Sequence, residues 1–298
     1  MLLANIVWGA MSPVSKAVLL DGNISPVALS AIRIAGGAAL FWLCWLLMPR
    51  RVVPDEKVRR SDWPKLLLAS VLMISANQGM YIIGIGYTSP IDSAVMSTLT
   101  PVFTMILAAV VIAMPITFKK IAGVALGLGG ALLMVLGSHS GSSVASDPVL
   151  GDTLCLGAQL CAAFYYVLFV PVINRYSPFT MMKWMFTFAA VTYVPCTVPW
   201  LLEVDFAAVP SVIWMQIGYI VLFATFIGYL LIPYSQRYLK PTVMSMYNYF
   251  QPAASALLAT VWGVGEFGTV KILATALIFV GVWFVTRSPG RVGDQPDR

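Results

Sequence analysis

The chain has 298 residues, of which 59% are hydrophobic and only 10% charged, with a mean hydropathy of +0.86. Soluble domains carry about 25% charged residues, so this composition cannot cover a water-exposed surface and excludes an ordinary soluble protein. A net charge of +6 would suggest nucleic acid in a soluble chain. Here the basic residues lie in loops between apolar runs, where they set orientation in a lipid bilayer, and nucleic acid is not an expected partner.

A spanning helix needs roughly 20 mostly apolar residues. Open sheets cannot cross hydrocarbon, because their edges carry unpaired backbone groups, and the alternating segments of barrel strands are absent. Ten apolar segments follow in chain order: 2–20, 26–48, 64–87, 91–114, 119–137, 152–174, 178–202, 211–236, 242–264 and 270–287. Met1 to Leu20 lack a basic n-region and a clear cleavage site, so they read as a first spanning helix, not a signal peptide. Connections are short, as in Asp21-Gly22-Asn23 and Thr88-Ser89-Pro90. One, Ser138 to Asp147, is long and rich in Ser and Gly. It divides the chain into a first five-helix repeat (1–137), a connecting loop (138–150), a second five-helix repeat (151–287) and a tail (288–298).

If ten helices alternate, 15 of the 18 basic residues fall on one side, and Lys271 alone on the other. Lys16 and Arg33 lie inside helices. This asymmetry predicts a multi-pass protein of the inner (plasma) membrane with both termini cytoplasmic. The halves also match at a fixed offset. Tyr87 pairs with Tyr238, Pro90 with Pro241, Pro101 with Pro252, Lys120-Ile121 with Lys271-Ile272, and Gly130 with Gly281. Each half holds an odd number of helices, so the second repeat is inverted in the bilayer, an arrangement used by alternating-access transporters.

The fourth and ninth segments each carry a mid-membrane proline, Pro101 and Pro252. Proline removes a backbone hydrogen bond, and paired interruptions of this kind point to a substrate site. These two are the expected kinks or gates. Ser93, Ser97, Thr100 and Thr104 recur at helical spacing beside the first, and Asn248 and Gln251 stand beside the second. The first segment presents Asn5, Trp8, Ser12 and Ser15 on one face, and the third places Asn77, Gln78 and Tyr81 near the midplane. An amide in hydrocarbon is costly unless paired or facing water. The expected substrate-binding residues are therefore Trp8, Ser12, Lys16, Asn77, Gln78, Tyr81, Thr100, Tyr229, Tyr247, Asn248 and Gln251. Helix–helix hydrogen bonding is the plainer role for the Ser/Thr stripe. Arg33 reads as a structural ion pair with Asp21 or Asp92, and Lys16 as a substrate or gate contact.

No acidic residue lies near the midplane, so the usual carboxylate of a proton relay is missing, and a proton as coupling ion is left open. The lone histidine, His139, sits in the Ser/Gly loop without nucleophile-elbow spacing. No catalytic residue, metal site or cofactor is expected. The four cysteines, Cys44, Cys155, Cys161 and Cys196, lie in apolar runs with no zinc-like spacing.

Trp8-Gly9 with Lys16, Pro26 with Arg33, Pro90 and Pro101 in the first half are joined in the second by Gly151-Asp152, Ser177-Pro178, Pro241-Thr242, Gln251-Pro252 and Gly265-Glu266. In this order the sequence resembles the drug/metabolite transporter superfamily, specifically its EamA-domain members. The resemblance covers nearly the whole chain. It implies an all-α membrane protein of ten transmembrane helices, built as two inverted five-helix EamA repeats around a central cavity, with a role in metabolite export. One departure is Met114-Pro115 where the family often has Gly-Glu. Neutral and aromatic cavity residues suit amino acids or related amphipathic solutes better than multiply charged phosphates, which call for Arg and Lys clusters. The expectation is a secondary transporter whose partners are a small-molecule substrate and the lipid bilayer. The alternative is a membrane-embedded enzyme or lipid-handling protein.

Overall fold

The computed structural model describes residues 1–49, 53, 56–88, 93, 96–136, 147–251, 253–254 and 269–288, and among these no strand occurs. The first half holds α1 (Leu2–Leu20), α2 (Pro26–Leu47), α3 (Arg60–Tyr87), α4 (Thr100–Ile112) and α5 (Phe118–Leu136). The second holds α6 (Pro148–Leu168), α7 (Pro178–Leu202), α8 (Ser211–Gln236), α9 (Pro241–Met246) and α10 (Thr269–Thr286). Five of them, α1, α2, α3, α7 and α8, are long and apolar enough to cross a bilayer. The exterior suits lipid: Leu47, Val110, Leu202 and Met215 are all more than two-thirds exposed. This is an all-helical, multi-pass membrane protein.

Local sequence sets where several helices begin. Ser25 accepts a hydrogen bond from the Ala28 amide at 3.2 Å, Ser177 from Thr180 at 3.2 Å, and Asp147 from Leu150 at 3.1 Å. A proline follows each cap at the first helical position, where its missing N–H costs nothing. The chain before the expected third helix adds one turn to it, so α3 starts at Arg60 instead of 64.

Four departures from regular α-helix are not visible in hydrophobic periodicity. Residues Val71–Ala76 of α3 and Ile220–Ile227 of α8 are π-helical. They occupy matching places in the two halves, offset by about the same spacing as Pro101 and Pro252. The expected fourth helix is interrupted at Thr98-Leu99 and restarts at Thr100. Pro101 has no N–H for the Ser97 carbonyl, and the Thr100 hydroxyl reaches that carbonyl instead, at 2.9 Å. The expected sixth helix breaks at Phe169, and a single turn, Val170–Ile173, follows around Pro171. Pro252 lies outside the described residues, as do 255–268 of the expected ninth helix.

The core is assembled in three apolar clusters. The largest joins α2, α3, α6, α7 and α8 through side chains such as Phe41, Ile74, Tyr166 and Phe186. A second ties α1 and α2 to α8 through Leu29, Ile217 and Ala224. The third joins α5, α9 and α10 around Tyr249 and Ile278. Small residues allow the closest approaches, as expected where lipid supplies no hydrophobic drive. A Cβ on Gly281 of α10 would stand 2.6 Å from the Gly123 carbonyl oxygen and 2.7 Å from the Gly127 nitrogen of α5. Gly281→Leu therefore has to push α5 and α10 apart at backbone level, and the expected outcome is loss of monodisperse protein in detergent, read by size-exclusion chromatography.

At the end of the bundle where the basic loops gather, one carboxylate ties the halves together. Asp62, at the start of α3, is fully buried. It accepts hydrogen bonds from Arg175 Nη1 at 2.6 Å, Tyr176 Oη at 2.7 Å and Lys65 Nζ at 3.1 Å. Arg237, beyond α8, donates to the Tyr176 carbonyl, and Glu56 accepts from the Ser177 amide at 2.7 Å. The N-terminal amine donates to Ser235 Oγ at 2.9 Å. Lys65 is half exposed, and exposed ion pairs contribute little. Asp62→Ala or Arg175→Ala is expected to lower the melting temperature in detergent clearly, with Lys65→Ala leaving it nearly unchanged.

Candidate functional site

α1, α2, α3, α6, α8 and the segment following α9 surround a cleft with about 610 Å³ of space between atoms, some of it open to solvent. The first half lines it with Trp8, Arg33, Asn77, Gln78 and Tyr81, the second with Gln159, Tyr166, Tyr229, Asn248 and Gln251.

The π-helical turn of α8 organises one wall. Such a turn shifts the backbone pattern to i→i+5 and frequently marks functional sites. The Ala224 carbonyl within it accepts the indole N–H of Trp8 at 2.8 Å, and the Thr225 hydroxyl accepts Nε of Arg33 at 3.2 Å. Gly228 follows directly, and a Cβ there would lie 2.8 Å from the Trp8 indole nitrogen. The rings of Trp8 and Tyr229 then meet edge to face, centroids 5.8 Å apart.

The opposite wall is set by the π-helical turn of α3, which delivers Asn77 and Gln78 to the cleft. Asn77 Nδ2 donates to the Ala158 carbonyl of α6 at 2.8 Å, and the Tyr229 hydroxyl donates to Asn77 Oδ1 at 3.5 Å. Gln251 Nε2 donates to Asn5 Oδ1 of α1 at 2.9 Å. In contrast, both amide atoms of Gln78 and Oδ1 of Asn248 are buried with no hydrogen-bond partner among the described residues.

Of the residues expected from sequence, Trp8, Asn77, Gln78, Tyr81, Tyr229, Asn248 and Gln251 border the cleft. Thr100 does not. It is fully buried behind the wall, and its hydroxyl lies 2.7 Å from Gln159 Oε1 as well as 2.9 Å from the Ser97 carbonyl. Tyr247 is half-buried and stacked on Phe250, centroids 5.8 Å apart. Pro101 is buried at the restart of α4. Ser12 and Lys16 lie on α1, but their side chains fall outside the described residues.

Sequence reasoning named no residue of α6, although the resemblance implied that the sixth helix lines the cavity, and so missed Gln159 and Tyr166. Gln159 is the one amide within α6, which was the available signal. Arg33 was read as an ion pair with Asp21 or Asp92. Asp21 instead accepts from Asn23 Nδ2 at 2.7 Å, Asp92 lies outside the described residues, and Arg33 faces the cleft with Thr225 as its hydrogen-bond partner. Among the described residues no group of His, Cys, Asp or Glu could hold a metal ion.

The model of the EamA-like transporter family matches residues 1–136 and again residues 149–287. The chain belongs to this family.

An uncharacterized transporter of Bacillus subtilis, YyaM, is 21% identical over 261 residues, covering 88% of this chain and 84% of its own. A protein of Streptantibioticus cattleyicolor described as a probable terminal-alkyne amino-acid exporter is 24% identical over 293 residues, covering 96% and 92%. A solved crystal structure superposes with a TM-score of 0.74 over 95% of this chain and 94% of that one, at 18% identity. That likeness establishes the fold alone. The family and these relatives are transporters, with several apolar helices set in a membrane.

Behind the cleft wall, Thr100→Val keeps the shape but leaves Gln159 Oε1 and the Ser97 carbonyl without their shared donor. An unsatisfied buried acceptor costs about 1–3 kcal/mol, and thermal unfolding in detergent is expected to register that loss.

Proposed function

We propose that the chain is a ten-helix secondary transporter of two inverted EamA repeats (1–137 and 151–287), which exports small amphipathic metabolites, amino acids among them, by alternating access. The observation that carries this reading is the cleft itself, whose polar lining comes from both halves at once. A site placed between two repeats changes its exposure when one repeat rocks against the other. The paired π-helical turns, in matching places, support the repeat relation.

Electrostatics supports the orientation. The loops carrying most basic residues belong on the cytoplasmic side, and the Asp62, Arg175 and Tyr176 cluster closes that side. With that end held shut, the cleft opens toward the outer face, and breaking the cluster is the step that opens the inner one. The plasma membrane, inner in a two-membrane cell, is the proposed location, with both termini cytoplasmic.

The lining is neutral except for Arg33. This favours solutes with one apolar portion and few charges, and the amino-acid exporter among the relatives points the same way. Trp8, Asn77, Gln78, Tyr81, Tyr229, Asn248 and Gln251 are the proposed binding residues.

Uptake of labelled amino acids into proteoliposomes tests the proposal. Asn77→Ala combined with Gln251→Ala is expected to cut flux of a transported amino acid at least about tenfold, a loss of roughly 1.4 kcal/mol in binding. Full flux in that variant would place the site elsewhere.

A further inference from the structure

Arg33 is 2% exposed, and that remnant borders the cleft. Its guanidinium carries five N–H donors, yet its hydrogen bond to a described residue is a single one, from Nε to Thr225. No carboxylate of a described residue lies within ion-pairing distance of it. Burying a cation is costly unless it is paired, more so at membrane depth. The planar edge beyond Nε is suited to bidentate recognition of a carboxylate.

The neighbouring lining has complementary vacancies. Gln78 Nε2 is a buried donor with no partner among the described residues, and Gln78 Oε1 and Asn248 Oδ1 are buried acceptors in the same condition. Trp8 and Tyr229 present aromatic surface beside them.

We infer that Arg33 is a cargo-binding residue that takes a carboxylate, so the transported solute is a carboxylic acid. Gln78 Nε2 supplies a further donor to that carboxylate. The amide oxygens of Gln78 and Asn248 accept from an ammonium or hydroxyl on the same solute, and the aromatic rings cover its apolar portion. The inference rests on the transport reading of the cleft and adds the chemical feature by which cargo is selected.

The test compares matched acids and amides in proteoliposomes holding the full chain. The pairs are L-phenylalanine with L-phenylalaninamide, L-leucine with L-leucinamide, and 3-phenylpropionate with 3-phenylpropionamide. Acids are expected to be moved at least about tenfold faster than their amides, the scale of a charge-assisted hydrogen bond. Arg33→Gln is expected to bring acid flux down at least about tenfold relative to amide flux, erasing the preference, and Arg33→Lys to keep some of it. A monodisperse size-exclusion profile in detergent verifies that each variant folds. If that variant does not fold, the acid-to-amide ratio of the unaltered protein still decides. Equal flux of acids and amides would overturn the role of Arg33 and leave the transport reading standing. No flux of any of the six compounds would count against the transport reading itself.

Discussion

A polar group inside hydrocarbon has to find a partner within the protein or face water. Along α4, the carbonyl that Pro101 leaves without an N–H takes the Thr100 hydroxyl. In α8, the π-helical turn exposes the Ala224 carbonyl, and Trp8 supplies the missing donor. Where α3 ends, the Thr88 hydroxyl meets the Asp152 carboxylate of α6 at 2.6 Å. Between α1 and the segment after α9, Gln251 and Asn5 satisfy each other. Gln78 and Asn248, which hold buried polar atoms not met this way, border the cleft beside Arg33, whereas Ser15, Ser75, Tyr165, Gln216 and Gln236 hold others outside its lining. Of these unmet groups, the ones that face the cleft are those a solute can reach.

This division of labour explains the shape of the bundle. α5 and α10 carry no cleft residue and pack through glycines at backbone distance, which makes them a fixed brace. α3 and α8 carry the π-helical turns, and α3 with α6 supplies the largest share of the cleft side chains. Helices with locally loosened backbone patterns are where a rocking motion can be absorbed without unfolding. The Asp62 cluster lies at the end of both, linking the α3 start to the loop after α6 and to the end of α8. One ion-paired cluster therefore bears on both helices that carry a π-helical turn.

Hydrophobic run length made most of the helices legible, because hydrocarbon thickness imposes it directly. The amides at Asn77, Gln78, Asn248 and Gln251 were legible as cleft residues for a related reason: their cost in lipid is large and their alternatives few. Thr100 and Gln159 were harder, since a hydroxyl satisfies itself against its own helix as readily as it faces a cavity, and a single amide in a long apolar segment gives no pattern. The partner that the structure describes for Arg33, the Thr225 hydroxyl 192 residues away, could not be read from sequence, because a charge invites a search for the nearest opposite charge along the chain. The π-helical turns leave no trace in a periodicity of 3.6, so the matching of Val71–Ala76 with Ile220–Ile227 emerges only in three dimensions.

Water access to the centre of the fold is the most direct measure of the account. With Cys44, Cys155, Cys161 and Cys196 replaced by serine, an Asn248→Cys variant can be challenged with a membrane-impermeant thiol reagent applied to the outer face of intact cells. The account predicts labelling there, at a depth where a lipid-facing cysteine would stay silent. An Asn248→Cys thiol that resists the reagent from both faces would mean that the centre is dry, and the cleft could not then be a path for a solute.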